Sequence, residues 1–182
     1  MSDLREKLRH CFQGSVCLMG IGNIDQGDDG LGAGLADAIA ARVTGSGDVP
    51  LNRTVINAGA MPERLIGSAA ERGFDHLVFL DAVEFGVKPG SVIFLNAEEI
   101  ATRFPQISTH KISISVLAKW IRMNGKTQVW LLGVQPGSLK PGQGLSPAVR
   151  RTMEILEDLL CDVWTSMKNT DETVLQGDLV RA

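Results

Sequence analysis

The stretch SVCLMGIGNIDQGDDGLGAGLADAIAARV, residues 15 to 43, decides the fold. Its first eight residues form a short apolar, partly β-branched run ending in glycine, the pattern of a strand buried on both faces. After a turn rich in glycine and aspartate, Leu31, Leu35, Ile39 and Val43 recur at helical spacing. Strand, loop and helix in that order are the unit of a parallel sheet, because a parallel partner strand requires a crossover connection.

The same unit recurs downstream. TVIN at 54–57 reads as a strand, MPERLIGSAAERG at 61–73 as a short helix stopped by Gly73, and HLVFLDAV at 76–83 as a second buried strand. VKPG at 87–90 is turn chemistry and SVIFLN at 91–96 reads as a strand, so a hairpin-like step is expected there. From His110, the run KISISVLAKWIRMNG places Ile112, Val116, Leu117, Trp120 and Ile121 on one helical stripe that Gly125 ends. QVWLLGVQP at 128–136 is a further strand. Ser146-Pro147 opens a last amphipathic helix through Val149, Met153, Leu156 and Leu160. The expected fold is α/β, a three-layer α/β/α sandwich around a mostly parallel sheet of about five strands.

A chain of 182 residues supports one well-buried core, so residues 1–182 are read as a single domain, with a mobile tail expected from about 167. The formal charge of −3, from 18 basic against 21 acidic residues without a long basic run, gives no electrostatic case for nucleic acid. MSDLREKLRHCF lacks the apolar core of a signal peptide, and no run is long enough to span a membrane, so a cytoplasmic protein is expected. Cys11, Cys17 and Cys161 have no C-x-x-C spacing and are expected to be structural thiols.

In sheets of this kind function gathers at the carboxyl ends of the strands, where the sequence places Asn23 to Asp29, Asn57, Asp81 and Gln135. The loop GIGNIDQGDDGLG, 20–32, has the glycines of a dinucleotide fingerprint. Its carboxylates Asp25, Asp28 and Asp29 would repel a pyrophosphate and attract a cation instead. Taken singly, an aspartate can cap a helix or turn and a histidine can be structural. Together, Asp29, Asp81 and His110 form a mixed oxygen and nitrogen set suited to a borderline divalent ion such as nickel or zinc, with coordination positions left open. His10, in the polar N-terminal segment, and His76, at the opposite end of its strand, fit that set less well.

At this level of detail the chain resembles the [NiFe]-hydrogenase maturation proteases, and among them the type that processes the large subunit of the formate hydrogenlyase hydrogenase. The matching stretches are GIGNIDQGDDGLG at 20–32, NAGAMPE at 57–63, LDAVEFGVKPG at 80–90, ISTHKISISVL at 107–117, LLGVQP at 131–136 and GLSPAV at 144–149. Asn57 stands where members often carry aspartate, and Ile24-Asp25 replaces the usual apolar pair after Asn23.

The resemblance implies an endopeptidase that removes a short C-terminal extension from a large-subunit precursor after nickel insertion. It places the metal-binding positions on Asp29, Asp81 and His110. Nickel is the implied metal, supplied by the substrate, and zinc or cadmium are alternative occupants of the same donors. Two routes to cleavage stay open: metal assistance with Asp28 as a spare base, and an aspartic-type pair of Asp29 and Asp81. A non-catalytic nickel-checking or escort module for the same precursor is the alternative function. The expected partner is the precursor alone, with no nucleic acid and no membrane, and the free protein is expected to be a monomer. Apolar surface for that partner is expected near Phe85, Met61 or the LSPAV segment.

Overall fold

β1 (Val16–Ile21) is buried at every position, as its unbroken apolar run requires. It lies at the centre of the computed structural model, which describes residues 2–45, 52–103 and 114–166. α1 (Ser2–Cys11) precedes it, and a 3-10 turn (Gly27–Gly30) leads from it into α2 (Leu31–Gly45). Then follow β2 (Arg53–Gly59), α3 (Glu63–Glu71), β3 (His76–Ala82), β4 (Val92–Asn96), α4 (Ala97–Arg103), α5 (Ile114–Asn124), β5 (Gln128–Val134) and α6 (Pro147–Ser166). The sheet order is β2-β1-β3-β5-β4. All pairs are parallel except β4 with β5, so the sheet is mostly parallel with one antiparallel edge.

The hairpin-like step after β3 needs correction, because β4 does not pair with β3. Val83 donates its N–H to Val134 O at 2.9 Å, so the chain crosses the end of β5 before it reverses at Pro89-Gly90. β5 then fills the slot between them, its Gln135 N–H bonding Ser91 O at 2.9 Å. Local turn chemistry fixes a reversal and leaves the choice of partner to strands further along the chain.

Helices cover both faces. One apolar core joins α1, α2 and α6 to the sheet through Leu8, Leu35, Ile39, Leu156 and Trp164; the other joins α3, α4 and α5 through Ile66, Ile100, Leu117 and Ile121. The α5 stripe read from the sequence is rotated in the structure. Ile114, Leu117, Ala118 and Ile121 are buried, whereas Val116 and Trp120 are 57% and 44% exposed, because the true i, i+3, i+4, i+7 face starts at Ile114. His110 and Ile112 lie outside the described residues, as does the tail after Ser166.

Two helices escaped the sequence reading. α1 is short and strongly polar, and it buries Leu8 and Cys11 fully. α4 carried a start signal in Asn96 and Glu99: Asn96 Oδ1 accepts the N–H of Glu98 and of Glu99, each at 3.0 Å, and Glu99 Oε2 accepts the N–H of Asn96 at 3.0 Å.

α2 is seated directly on the ends of β1 and β3. A Cβ at Gly32 would stand 2.0 Å from Leu80 O and 2.3 Å from Ile21 O. Gly32→Ala is therefore expected to lift the helix start off the sheet and to cost about 2–3 kcal/mol in urea unfolding, as overpacking against backbone does.

Candidate active site

Past β1 the chain turns at Gly22, whose φ of +137° and 1.8 Å clearance from Asp29 O to a notional Cβ leave no room for a side chain. This folds the loop under itself and brings Asp29 back beside Asn23, whose N–H donates to Asp29 Oδ2 at 2.8 Å. Asp29 is 6% exposed, and its Oδ1 is buried without a hydrogen-bond partner among the described residues.

Asp81 is the penultimate residue of β3 and is fully buried. Gly20 is level with Leu80 across the β1–β3 pair, so Asp81 stands just past it at the carboxyl edge. The 3-10 turn that carries Asp29 abuts β3, and α2 behind it rests on Leu80 O and Ile21 O. Asp29 and Asp81 thus share one edge, as the sequence implied. His110, the third proposed ligand, lies outside the described residues. Among the described residues no group of three or more His, Cys, Asp or Glu side chains is arranged to hold a metal.

Asp28 takes a part the sequence did not reveal. Its carboxylate is fully buried and is bonded into the loop 135–146 that follows β5. Oδ2 accepts the N–H of Gly137 at 2.7 Å and of Ser138 at 2.9 Å, together with the Ser146 hydroxyl at 2.9 Å; Oδ1 accepts the N–H of Ser146 at 2.6 Å. Burial by itself would raise its pKa, but the bonds from Ser146, Gly137 and Ser138 outweigh burial and hold it below the ordinary carboxylate value. A carboxylate so engaged is a poor proton acceptor, and its bonds suit a clamp on that loop better than a spare base. Asp28 N–H to Ser138 O at 2.9 Å and Gly142 N–H to Asp25 O at 2.9 Å complete the seam.

The loop after β3 is held from below by Gln135, which is 3% exposed. Gln135 Oε1 accepts the Phe85 N–H at 2.8 Å, and its Nε2 donates to Glu84 Oε1 at 2.6 Å. Asn57, where an aspartate was noted as common, donates from Nδ2 to Asp37 Oδ2 at 2.8 Å. An aspartate there would face a like charge across that contact.

Each loop beyond a parallel strand also presents one exposed large apolar side chain: Ile24 at 68%, Met61 at 45%, Val87 at 47% and Leu139 at 39%. Of the residues proposed for apolar contact, Met61 is exposed. Phe85 is half-buried against the α3–α5 core, and in LSPAV Val149 is buried. At the far edge His76 is buried and accepts Trp130 Nε1–H on Nδ1 at 3.1 Å; burial pushes its pKa down. That histidine is structural. All three cysteines are free and buried, and burial pushes the Cys11 and Cys17 thiols up to about 12. No described helix is long and apolar enough to cross a membrane.

An α/β sheet with two buried carboxylates at its carboxyl edge, and one exposed apolar side chain on each loop beyond a parallel strand, places an acidic pair where such folds carry their function. Comparison with known proteins gives that class a family. The family model described as HycI, hydrogenase maturation protease, matches residues 35–163, a span that includes Asp81 and His110 and starts just past Asp29. The hydrogenase 2 maturation protease of Escherichia coli K12 is 30% identical over 80% of this chain and 88% of its own length. The hydrogenase 3 maturation protease of the same organism is 32% identical over 65% and 71%. The crystal structure of the [NiFe] hydrogenase maturation protease HycI from Thermococcus kodakarensis KOD1 superposes with a TM-score of 0.76 at 27% identity, covering 87% of this chain and 99% of that one. The chain belongs to the hydrogenase maturation protease family, and it is a peptidase. The two Escherichia coli relatives match almost equally well, so these identities do not single out the formate hydrogenlyase type.

Proposed function

We propose that this peptidase removes a C-terminal extension from the precursor of a [NiFe]-hydrogenase large subunit once nickel is in place, and that it reads the nickel with Asp29, Asp81 and His110. The observation that carries this is Asp29 Oδ1, buried without a hydrogen-bond partner among the described residues. A buried anionic oxygen without a donor is costly, and a cation brought by the substrate would satisfy it. The donor chemistry fits, since two carboxylates and an imidazole match a borderline divalent ion. A divalent ion in that set would polarise the scissile carbonyl.

The protein's own groups do the rest. Asp29, fixed by the Asn23 N–H, and Asp81, fixed by the strand, hold the precursor in register and supply the carboxylate that accepts the proton of the attacking water. Asp28 keeps the loop 135–146 against the first loop, and the apolar rim excludes water around the bound segment.

The test is to incubate the purified protein with nickel-loaded and nickel-free precursor and follow the large subunit by gel shift and mass. Only the loaded form is expected to be shortened, and Asp29→Ala and His110→Ala are expected to leave it intact. Equal cleavage of both forms would end the nickel-reading proposal. Full activity of either variant would remove that residue from the set, and binding without mass loss would favour an escort role.

A further inference from the structure

β4 is an edge strand without the usual protection of an edge. Its core sequence Val92-Ile93-Phe94-Leu95, at the edge of the sheet among the described residues, contains no charge and no proline. Natural sheets blunt such edges because a row of unpaired N–H and C=O groups recruits another strand. The Gln135 N–H bond to Ser91 O sets the alternation, so Ser91, Ile93 and Leu95 turn their backbone to β5. The N–H and C=O groups of Val92 and Phe94 therefore face outward. Asn96, next in that series, has its N–H closed off by Glu99.

Beside this edge runs a groove with Val92 and Phe94 on one wall, and Leu4 of α1 with Ile155 and Leu156 of α6 on the other, the Asp3–Lys7 ion pair of α1 lining it as well. Its upper end, at Gly90 and Thr152, lies on the carboxyl side of the sheet. Val92 is paired with Val134, which is paired with Ala82, the residue after Asp81. Val87 on the rim and Val92 and Ile155 in the groove each expose a large apolar side chain.

We propose that β4 and this groove receive the C-terminal extension of the precursor as an added strand, a reading that rests on the proposed function. The nickel-bearing body of the precursor has to face Asp29 and Asp81, and the groove leads away from them. The segment free to enter it is the one beyond the scissile bond, running down from the edge parallel to β4. An added strand would lie three strand spacings from β3, roughly 14 Å, a gap that about four extended residues cross. Backbone bonds to Val92 and Phe94 would hold the extension whatever its sequence, and alternate side chains would enter the groove, which selects apolar residues at every second position.

A synthetic peptide with the sequence of the extension, added to the full chain, tests this by amide-resolved hydrogen exchange. The Val92 and Phe94 amides are expected to slow at least about tenfold when the peptide is bound, with those of β2 unchanged. Val92→Pro removes one outward N–H while leaving the β5 ladder intact, and Ile155→Glu, at a position 42% exposed, charges the groove without touching that edge. Both are expected to raise KM for the loaded precursor about tenfold with kcat unchanged. An unchanged KM in Ile155→Glu with unchanged exchange at Val92 and Phe94 overturns the groove, even though wild-type cleavage upholds the protease reading. Failure of the wild-type protein to cut any precursor overturns both. Protection at Val92 and Phe94 that rises with protein concentration in the absence of peptide assigns the edge to a second copy of this chain and also overturns the proposal.

Discussion

Asp81→Asn is expected to lower precursor processing at least about 100-fold while leaving the protein folded, the loss typical of removing a positioned acid–base group. The side chain is fully buried at the end of β3, in a strand buried along its whole length. Ionised groups lose more on leaving water than neutral amides do, so a buried carboxylate is kept for the contacts it makes or for the work it does. If Asp81 served only the fold, an isosteric amide would alter stability and leave cleavage alone. If it serves the reaction, the amide keeps the volume and loses the proton-accepting, cation-binding oxygen. Thermal unfolding and single-turnover cleavage of the same preparation separate the two cases. Lost cleavage in a protein that still folds is expected; wild-type cleavage would remove Asp81 from the reaction. Asp29→Asn should behave alike, and the double variant should be little worse than either, because residues acting on one reacting group are strongly non-additive.

Adjacent in sequence, Asp28 and Asp29 show what the chain reveals and what it conceals. The strand, loop and helix of residues 15–43 were legible because an unbroken apolar run and a helical repeat are local signals, and the structure places β1 and α2 on them. That two carboxylates reach one sheet edge was equally legible, since strand ends in a parallel sheet share an edge. The division of labour between Asp28 and Asp29 was not. It depends on Gly137, Ser138 and Ser146, more than a hundred positions away, whose backbone N–H groups turn one carboxylate into a clamp and leave the other at the edge. The hairpin-like step failed for a related reason, because which strand lies beside β3 is decided by a crossover that comes later in the chain. α4 is a different kind of miss: the Asn96 and Glu99 signal was local, and its brevity hid it.

Asp28→Ala is expected to be the most destabilising of these substitutions, by about 3–5 kcal/mol in urea unfolding, because it strips the acceptor from four donors at once. The Gly137, Ser138 and Ser146 N–H groups cannot all reach water unless the loop 135–146 lifts, and that loop leads straight into α6. A loss of this size is a large share of the roughly 5–15 kcal/mol that holds a domain together. Asp28→Asn should fall between, since its amide oxygen keeps an acceptor while its NH₂ is forced against donors. The pH dependence has a definite sign. The folded pKa is depressed below the unfolded value of about 3.9, so the native state holds fewer protons there and the stabilisation is fully present above about pH 4. It is lost as pH falls through the folded pKa. Urea midpoints should therefore decline more steeply with acid below pH 4 in the wild type than in Asp28→Ala, and parallel declines would show that the carboxylate is not the clamp. The same variant bears on catalysis without Asp28 touching the reaction. With the loop released, Asp25 and Asp29 lose the seam that fixes their loop, so kcat should fall even at temperatures where the protein is still folded. Raising nickel-loaded precursor to saturation should not restore it, because the loss lies in the geometry of the edge and binding alone cannot rebuild that geometry.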